Sequence, residues 1–261
     1  MIEQFAKKIV QWRYLVVIAT FLAVGFAASG VKNLYMDTNY RVFFGPGNPQ
    51  LQAFDKLQET YTKTDNIVFM LAPKNKNVFS KDVLSLAYEL TEDAWQLPFN
   101  SRIDSLSNYQ HTVADEDELV VEDLILDPED LDAERLAYIK GVVLNEPQLR
   151  QRMVSPEGHV AAVIATVRLP EKALDEVPTL VAAARALRDK YEAKYPDVEI
   201  KMTGIVMMNN AFSEASMADM SSLVPLMFLV VLITLVVLLR SVSGTITTIF
   251  VIAMSILAAM G

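Results

Sequence analysis

The chain has 261 residues, of which 52% are hydrophobic and 21% are charged, and its formal net charge at pH 7 is −9. This negative charge argues against a nucleic-acid-binding protein, because the phosphate backbone would repel it. The absence of cysteine excludes disulfide bonds, thiol catalysis and cysteine-ligated zinc.

Three long stretches of the chain contain no charged residue, namely residues 14–31, 220–239 and 241–261. Apolar runs of about 18 or more residues are long enough to cross the hydrocarbon core of a bilayer. The sequence therefore predicts a membrane protein with three transmembrane helices. This distribution excludes an ordinary cytosolic enzyme and a disordered chain.

Basic residues flank the predicted helices on one side of the membrane. Lys7, Lys8 and Arg13 precede the first apolar run, and Arg240 lies between the second and the third. Because lysine and arginine in short loops stay on the cytoplasmic side, the N-terminus is predicted inside and residues 33–219 outside. A cleavable signal peptide is the alternative for the first run, and it would place the same segment outside.

The segment between the first and second apolar runs has the pattern of a mixed helix and strand domain. The predicted elements, in chain order, are a strand at 67–71, a helix at 80–98, a strand at 102–107, an acidic loop at 115–134, a helix at 136–152, a strand at 160–169, a helix at 178–195 and a strand at 198–202. Two successive strand–helix–strand units are typical of a ferredoxin-like, split βαβ sheet with helices on one face. The predicted fold class is therefore an α+β membrane protein that combines transmembrane helices with such an extracytoplasmic domain.

Short motifs follow one another along the chain in an order that points to one superfamily. They are DTNYRVFF at 37–44, GPGNP at 45–49, TG at 203–204, NNAFSEA at 209–215 and LRS at 239–241, followed by Gly244. In this order and with this membrane topology, the sequence resembles the start of a resistance-nodulation-division (RND) exporter. The branch that it resembles most includes the mycobacterial membrane protein large (MMPL) and hopanoid-type exporters.

The resemblance implies the N-terminal part of an exporter that uses the proton-motive force to move lipids or other hydrophobic molecules. It divides the chain into an N-terminal segment with the first helix (1–32), a periplasmic porter domain (33–219), the second helix (220–239) and the start of the third (240–261). The expected location is the bacterial inner (plasma) membrane, as a multi-pass protein with its large domain in the periplasm. The expected partners are the bilayer, a hydrophobic or lipid substrate and the remaining transmembrane helices, with a homo-oligomer as an open alternative and no nucleic acid.

Energy coupling is not expected to reside in these residues. Proton relays within a bilayer use ionisable side chains, and none of the three apolar runs contains one. The resemblance implies that the proton-relay residues follow residue 261. No enzymatic activity, catalytic residue or cofactor is expected in this chain.

Five methionines accompany the approach to the second helix, namely Met202, Met207, Met208, Met217 and Met220. Methionine adapts its shape to varied apolar surfaces and is frequent at promiscuous binding sites. The sequence therefore marks this segment as a candidate access region for a hydrophobic substrate. Packing at the membrane-proximal junction is the alternative interpretation.

Other residues capable of chemistry do not form a recognisable motif. His111 and His159 are the only histidines and lie far apart in the sequence, so a metal site is not expected. The acidic run at 115–134 lacks the spacing and the glycine of a calcium loop, and it is expected to be a solvated loop. GPGNP at 45–49 lacks the lysine of a phosphate-binding loop and predicts a rigid turn.

Two other functions fit the predicted topology. A membrane-anchored periplasmic sensor or interaction module would also place a folded domain between two helices, but it would usually continue into a cytoplasmic domain. The connection at residues 240–244 leads at once into the third apolar run, which favours the transporter. An accessory to protein translocation is the other alternative, because the resemblance implies that such relatives share the fold.

Overall fold

The computed structural model describes residues 10–33, 41, 44, 45, 47–61, 65–115, 118–170, 173 and 175–260. Lys7, Lys8 and most of the motif at 37–44 lie outside the described residues. The chain divides into two compact units, one made of residues 1–37 and 215–261 and the other of residues 38–214. The unit of residues 38–214 is called the sheet domain here.

The described residues form a mixed helix and sheet structure. The α-helices are α1 (Arg13–Ala28), α2 (Pro49–Thr60), α3 (Lys81–Ala94), α4 (Ala133–Asn145), α5 (Glu176–Lys194), α6 (Ile205–Leu239) and α7 (Val242–Met260). The strands are β1 (Asp65–Pro73), β2 (Asn100–Asp104), β3 (Gln110–Asp115), β4 (Glu118–Asp123), β5 (Ala161–Val167) and β6 (Val198–Thr203). Short 3-10 helices lie at Ser29–Asn33 and Pro128–Asp130.

The main sheet has four antiparallel strands in the order β2-β5-β1-β6. The central strand β1 pairs with β5 on one side and with β6 on the other, so that Phe69 lies opposite both Val163 and Met202. Helix α3 joins β1 to β2, and α5 joins β5 to β6. Each helix thus connects two parallel strands that have one strand between them, and the sheet interleaves two strand–helix–strand units.

Alternate residues of the central strands point into one hydrophobic core. Ile67, Phe69 and Leu71 of β1 are fully buried, and β5 buries every second residue from Ala161 to Val167. Helix α3 covers them with side chains at helical spacing, which are Val83, Leu84, Leu86, Ala87, Leu90 and Ala94. Because the strands repeat every two residues and the helix every 3.6, one continuous apolar layer forms between sheet and helix.

Charged and phenolic side chains tie α3 to α5. Asp93 on α3 accepts hydrogen bonds from Lys190 and, at 2.8 Å, from the Tyr191 hydroxyl. The Tyr195 hydroxyl donates to a Glu89 carboxylate oxygen at 3.1 Å. The Lys190 ammonium group and the Tyr191 hydroxyl lower the pKa of Asp93, whereas burial and Glu89 raise the pKa of Tyr195 to about 12. The carboxylate of Asp93 therefore stays charged and the Tyr195 phenol stays neutral at neutral pH, which preserves these bonds.

The hairpin of β3 and β4 is a separate two-stranded sheet. The expectation of a loop throughout residues 115–134 was therefore wrong for β4, and also for the first residues of α4. The acids in β4 obscured its strand pattern, since Glu122 and Asp123 follow directly on its apolar residues. Leu119 and Val121 remain exposed and do not join the core. The strand therefore has no buried face that would require a regular alternation of apolar and polar residues.

Three helices in the described part of the chain are long and apolar enough to cross a membrane. These spans are Arg13–Lys32 with 20 residues, Ile205–Leu239 with 35 and Val242–Met260 with 19. Helices α1 and α7 pack against each other, with the ring centroids of Phe21 and Phe250 5.8 Å apart. Leu22 and Val237 expose most of their surface, as side chains that face lipid do. Helix α6 begins well before the apolar run at 220–239, so its first turns are not part of that run.

Candidate functional site

The five methionines singled out in the sequence occupy two kinds of environment. Met202 on β6 and Met207 on α6 are partly buried and pack against the core of the sheet domain. Met208 is exposed, and Met217 and Met220 further along α6 are exposed as well. The structure therefore places two of them in packing positions and three with their side chains directed outward.

A close backbone contact fixes the start of α6. Gly204 between β6 and α6 has a φ of +113°, and a Cβ atom there would lie 2.4 Å from the backbone oxygen of Asn66. The backbone N–H of Ile205 donates to Oδ1 of Asn66 at 3.4 Å. Because Asn66 belongs to β1, these contacts hold the first turn of α6 against a central strand of the sheet. Only glycine fits at position 204, because any side chain would clash with Asn66.

Side chains of the first turns of α6 add further contacts with the sheet domain. Val206 is buried in the core, and Arg185 on α5 donates two hydrogen bonds to Glu214, of 2.6 and 2.9 Å. This two-point pairing is a strong form of arginine–carboxylate contact, and it raises the pKa of Arg185. Asn209 and Asn210 are buried on the same turns. Arg185 together with Asn210 lowers the pKa of Glu214, and Asn209 Oδ1 has no hydrogen-bond partner within the described residues.

Open cavities in the sheet domain offer space for ligands. A cavity of about 610 Å³ lies at the end of β1 and the beginning of β6, and one of about 320 Å³ lies between the β3–β4 hairpin and α4. A third, of about 720 Å³, lies beside the edge strand β2 and is called the β2 cavity here. Its polar and aromatic lining includes Trp95, Arg102, Asn108, Tyr109, Gln148 and Arg152. These volumes fall in the range of about 300–1,000 Å³ that small-molecule sites occupy.

The two histidines line different cavities. His111 on β3 lines the cavity between the hairpin and α4, with its ring centroid 6.2 Å from that of Tyr138. His159 lies at the cavity formed by β1 and β6. Among the residues that the structure describes, no group of three or more histidine, cysteine or acidic side chains is placed to hold a metal ion.

Sequence reasoning did not identify the β2 cavity or the polar contacts at the start of α6. The cavity draws on residue 95, on residues 102–112 and on residues 148–153, which only the fold brings together. Asn66 is likewise remote in sequence from Gly204. The TG motif at 203–204 could have indicated a constrained turn, whereas no local pattern pointed to the cavity.

Apolar helices of membrane length together with a folded mixed domain define a multi-pass membrane protein. Residues 44–261, which are most of the chain, match the model of the MMPL family. The chain therefore belongs to the MMPL family, which consists of RND-type membrane transporters. This match confirms the resemblance seen in the sequence motifs. The comparison with curated proteins gives no match.

Proposed function

We propose that this chain forms the leading helices and the periplasmic porter domain of an RND exporter driven by the proton-motive force. The proposed cargo is a lipid or another hydrophobic molecule. The observation that carries the proposal is a mixed domain between the first and second membrane-length helices of an MMPL chain. The strand order β2-β5-β1-β6 supports a ferredoxin-like porter domain, because two interleaved strand–helix–strand units produce that order.

The connection between α6 and α7 favours a transporter over a sensor. Only Arg240 and Ser241 separate the end of α6 at Leu239 from the start of α7 at Val242. In a sensor, a cytoplasmic signalling domain that responds to a conformational change transmitted by α6 would follow that helix directly. A second membrane-length helix follows it at once.

The exposed methionines provide the substrate access region in this proposal. Met208, Met217 and Met220 present flexible thioether side chains at the surface, where they adapt to apolar ligands of varied shape. Met202 and Met207 pack against the core and hold the segment on the sheet domain.

Thiol labelling tests the proposed topology. The chain has no cysteine, so the variants Asp130→Cys and Ser243→Cys each carry one reporter thiol, and both positions are exposed. The cysteine at position 130 should react with a membrane-impermeant reagent in intact spheroplasts. The cysteine at position 243, in the first turn of α7 and three residues after Arg240, should react only after lysis, because short basic loops and the helix ends beside them stay inside. Labelling of position 130 only after lysis would contradict the topology.

Deletion of the natural gene tests the proposed transport. Cells without it should retain a lipid or other hydrophobic molecule in the inner membrane, and the natural gene should restore export. Mass spectrometry of lipid extracts from separated inner and outer membranes measures the distribution. A protonophore should cause the same retention in cells that carry the gene, because the proposed driving force is the proton gradient. Unchanged lipid distribution with altered transcription would support a sensor and contradict export.

A further inference from the structure

The β2 cavity has aromatic walls and polar groups suited to a small headgroup. Trp95 exposes 45% of its surface, and Tyr109 is partly buried and packs against the core of the domain. Burial, with a smaller contribution from Glu146, raises the pKa of Tyr109. The phenol therefore stays protonated and can donate a hydrogen bond, and the Gln148 amide adds further hydrogen-bonding groups.

The charges of the lining leave one arginine available for an anion. Arg102 donates from Nε to an Asp104 carboxylate oxygen at 2.7 Å, so these two charges offset each other. Arg152 makes no ion pair within the described part of the chain. Two acids are nearby: Asp123 lines the separate cavity beside α4, and Glu146, which acts on the pKa of Tyr109, is not part of the cavity lining. The cavity thus offers a guanidinium group to a phosphate or carboxylate, which arginine binds through paired N–H donors.

The turn that carries Arg152 is held in a defined shape. Gln151 has a φ of +68°, which is uncommon for a residue other than glycine, and its N–H donates to the Val154 oxygen at 2.8 Å. The N–H of Met153 donates to the oxygen of Leu149 at 2.8 Å, and the Leu149 side chain is buried. A turn anchored in this way loses little freedom when a ligand binds, which favours affinity.

An apolar strip continues from the cavity along the β3–β4 hairpin. Thr112 lines the cavity and pairs across the hairpin with Val121. Leu119 is two residues from Val121 on the same strand, so both side chains lie on one face. Val121 exposes 56% of its surface and Leu119 exposes 73%. A cavity lined by an arginine without an ion pair among the described residues therefore adjoins an exposed apolar surface.

We propose that the β2 cavity binds the anionic headgroup of an amphiphile whose hydrocarbon chain lies along Val121 and Leu119. Arg152 contacts the acidic group, Trp95 and Tyr109 flank the headgroup, and the strip removes part of the chain from water. Within the exporter proposed above, on which this role rests, the site makes an anionic lipid the class of cargo. A ligand that lacks either the charge or the chain engages only half of the site.

Trp95 fluorescence reports occupation of the site. The chain has two tryptophans, so Trp12→Phe leaves Trp95 as the single reporter. Dihexanoyl-phosphatidylglycerol is titrated into the full chain in a neutral maltoside detergent, and the emission should change saturably. Dihexanoyl-phosphatidylcholine lacks the net charge, and glycerol 3-phosphate lacks the chains. Each should bind at least about tenfold more weakly than dihexanoyl-phosphatidylglycerol, because the first lacks the contact with Arg152 and the second lacks the contact with the apolar strip.

Matched variants assign the binding to named side chains. Arg152→Gln should weaken phosphatidylglycerol binding about tenfold, since it removes a charge-assisted contact. Arg150→Gln removes the same charge from an exposed position of the same turn that does not line the cavity, and it should leave the affinity unchanged. Val121→Ser should weaken binding of the lipid but not of glycerol 3-phosphate. Thermal unfolding followed by circular dichroism checks that each variant is folded.

Three results would overturn the site. These are no saturable response of Trp95, equal losses in the two arginine variants, or glycerol 3-phosphate binding as tightly as the lipid. The first would indicate a different occupant, such as a protein strand that pairs with the edge strand β2. The titration measures binding independently of transport. If it fails while the gene deletion still causes an export defect, the headgroup site is rejected and the exporter is retained. Intact binding without any export defect rejects the exporter and retains the site.

Discussion

Replacing Gly204 with alanine should destabilise the sheet domain by about 3 kcal/mol or more. A side chain at a φ of +113° is strained, and its Cβ would lie 2.4 Å from the Asn66 backbone oxygen. Because Asn66 belongs to the central strand β1, relief of this contact requires the strand or the first turn of α6 to move. We expect the apparent melting temperature of the domain to fall by about 6–12 °C, as such a loss does in domains of this size.

Gly141 supplies the matched control. It lies on the exposed side of α4, and a Cβ atom added there would meet nothing within 4 Å. Gly141→Ala should therefore leave the melting temperature unchanged or raise it, because alanine favours the helix. If Gly204→Ala and Gly141→Ala melted at the same temperature, the fixed turn at the start of α6 would be disproved.

Replacing Val163 with aspartate should unfold the sheet domain or bring it close to unfolding. Val163 on the inner strand β5 is fully buried, with Phe69 of β1 opposite it. An unpaired carboxylate in this layer would cost several kcal/mol, roughly 4 or more, against a total domain stability of about 5–15 kcal/mol. Urea unfolding followed by circular dichroism measures the loss, which should appear as a lower midpoint or as an unfolded baseline in water.

The same substitution on exposed or half-buried strand positions gives the comparison. Val121→Asp on the hairpin should change the free energy of unfolding by only about 0.5 kcal/mol, because the side chain is already in water. Ile164 is half-buried on the opposite face of β5 from Val163, so Ile164→Asp should fall between the two. If aspartate at positions 163 and 121 lowered the free energy of unfolding equally, the assignment of Val163 to the core would be wrong.

Elements whose apolar spacing coincides with burial were predictable from the sequence. The strand predicted at 160–169 is β5 at Ala161–Val167, where alternate residues are buried. The helix predicted at 178–195 is α5 at Glu176–Lys194, and Pro178 occupies its first turn, where the missing N–H has no intrahelical partner to lose. In both elements one face is apolar because it meets the core, so the local pattern carries the tertiary information.

The hairpin and the β2 cavity could not be predicted in this way. The hairpin leaves Leu119 and Val121 exposed, so its alternation is not reinforced by a buried face. The cavity depends on long-range packing that brings Trp95 to the same place as Arg152. Such sites are defined by distances between segments, and periodicity within a segment does not record these distances.

The methionine segment shows that residues close in sequence can lie in different environments. Met202, Met207 and Met208 are close in sequence, yet the structure separates them by exposure. Sequence proximity suggested a group because all of them precede the second apolar run. Which side chain faces the core was decided by the direction in which α6 leaves Gly204.

The interleaved sheet has a consequence for the synthesis of the protein. β1 obtains both of its neighbours, β5 and β6, from residues 161–203. A ribosome adding about 5–20 residues per second needs several seconds to reach them after it has completed β1. During that interval, an apolar strand with two open edges is available for aggregation. We therefore expect chaperones to protect residues 65–73 in the nascent chain, since none of the strands described before β5 is a neighbour of β1 in the folded sheet.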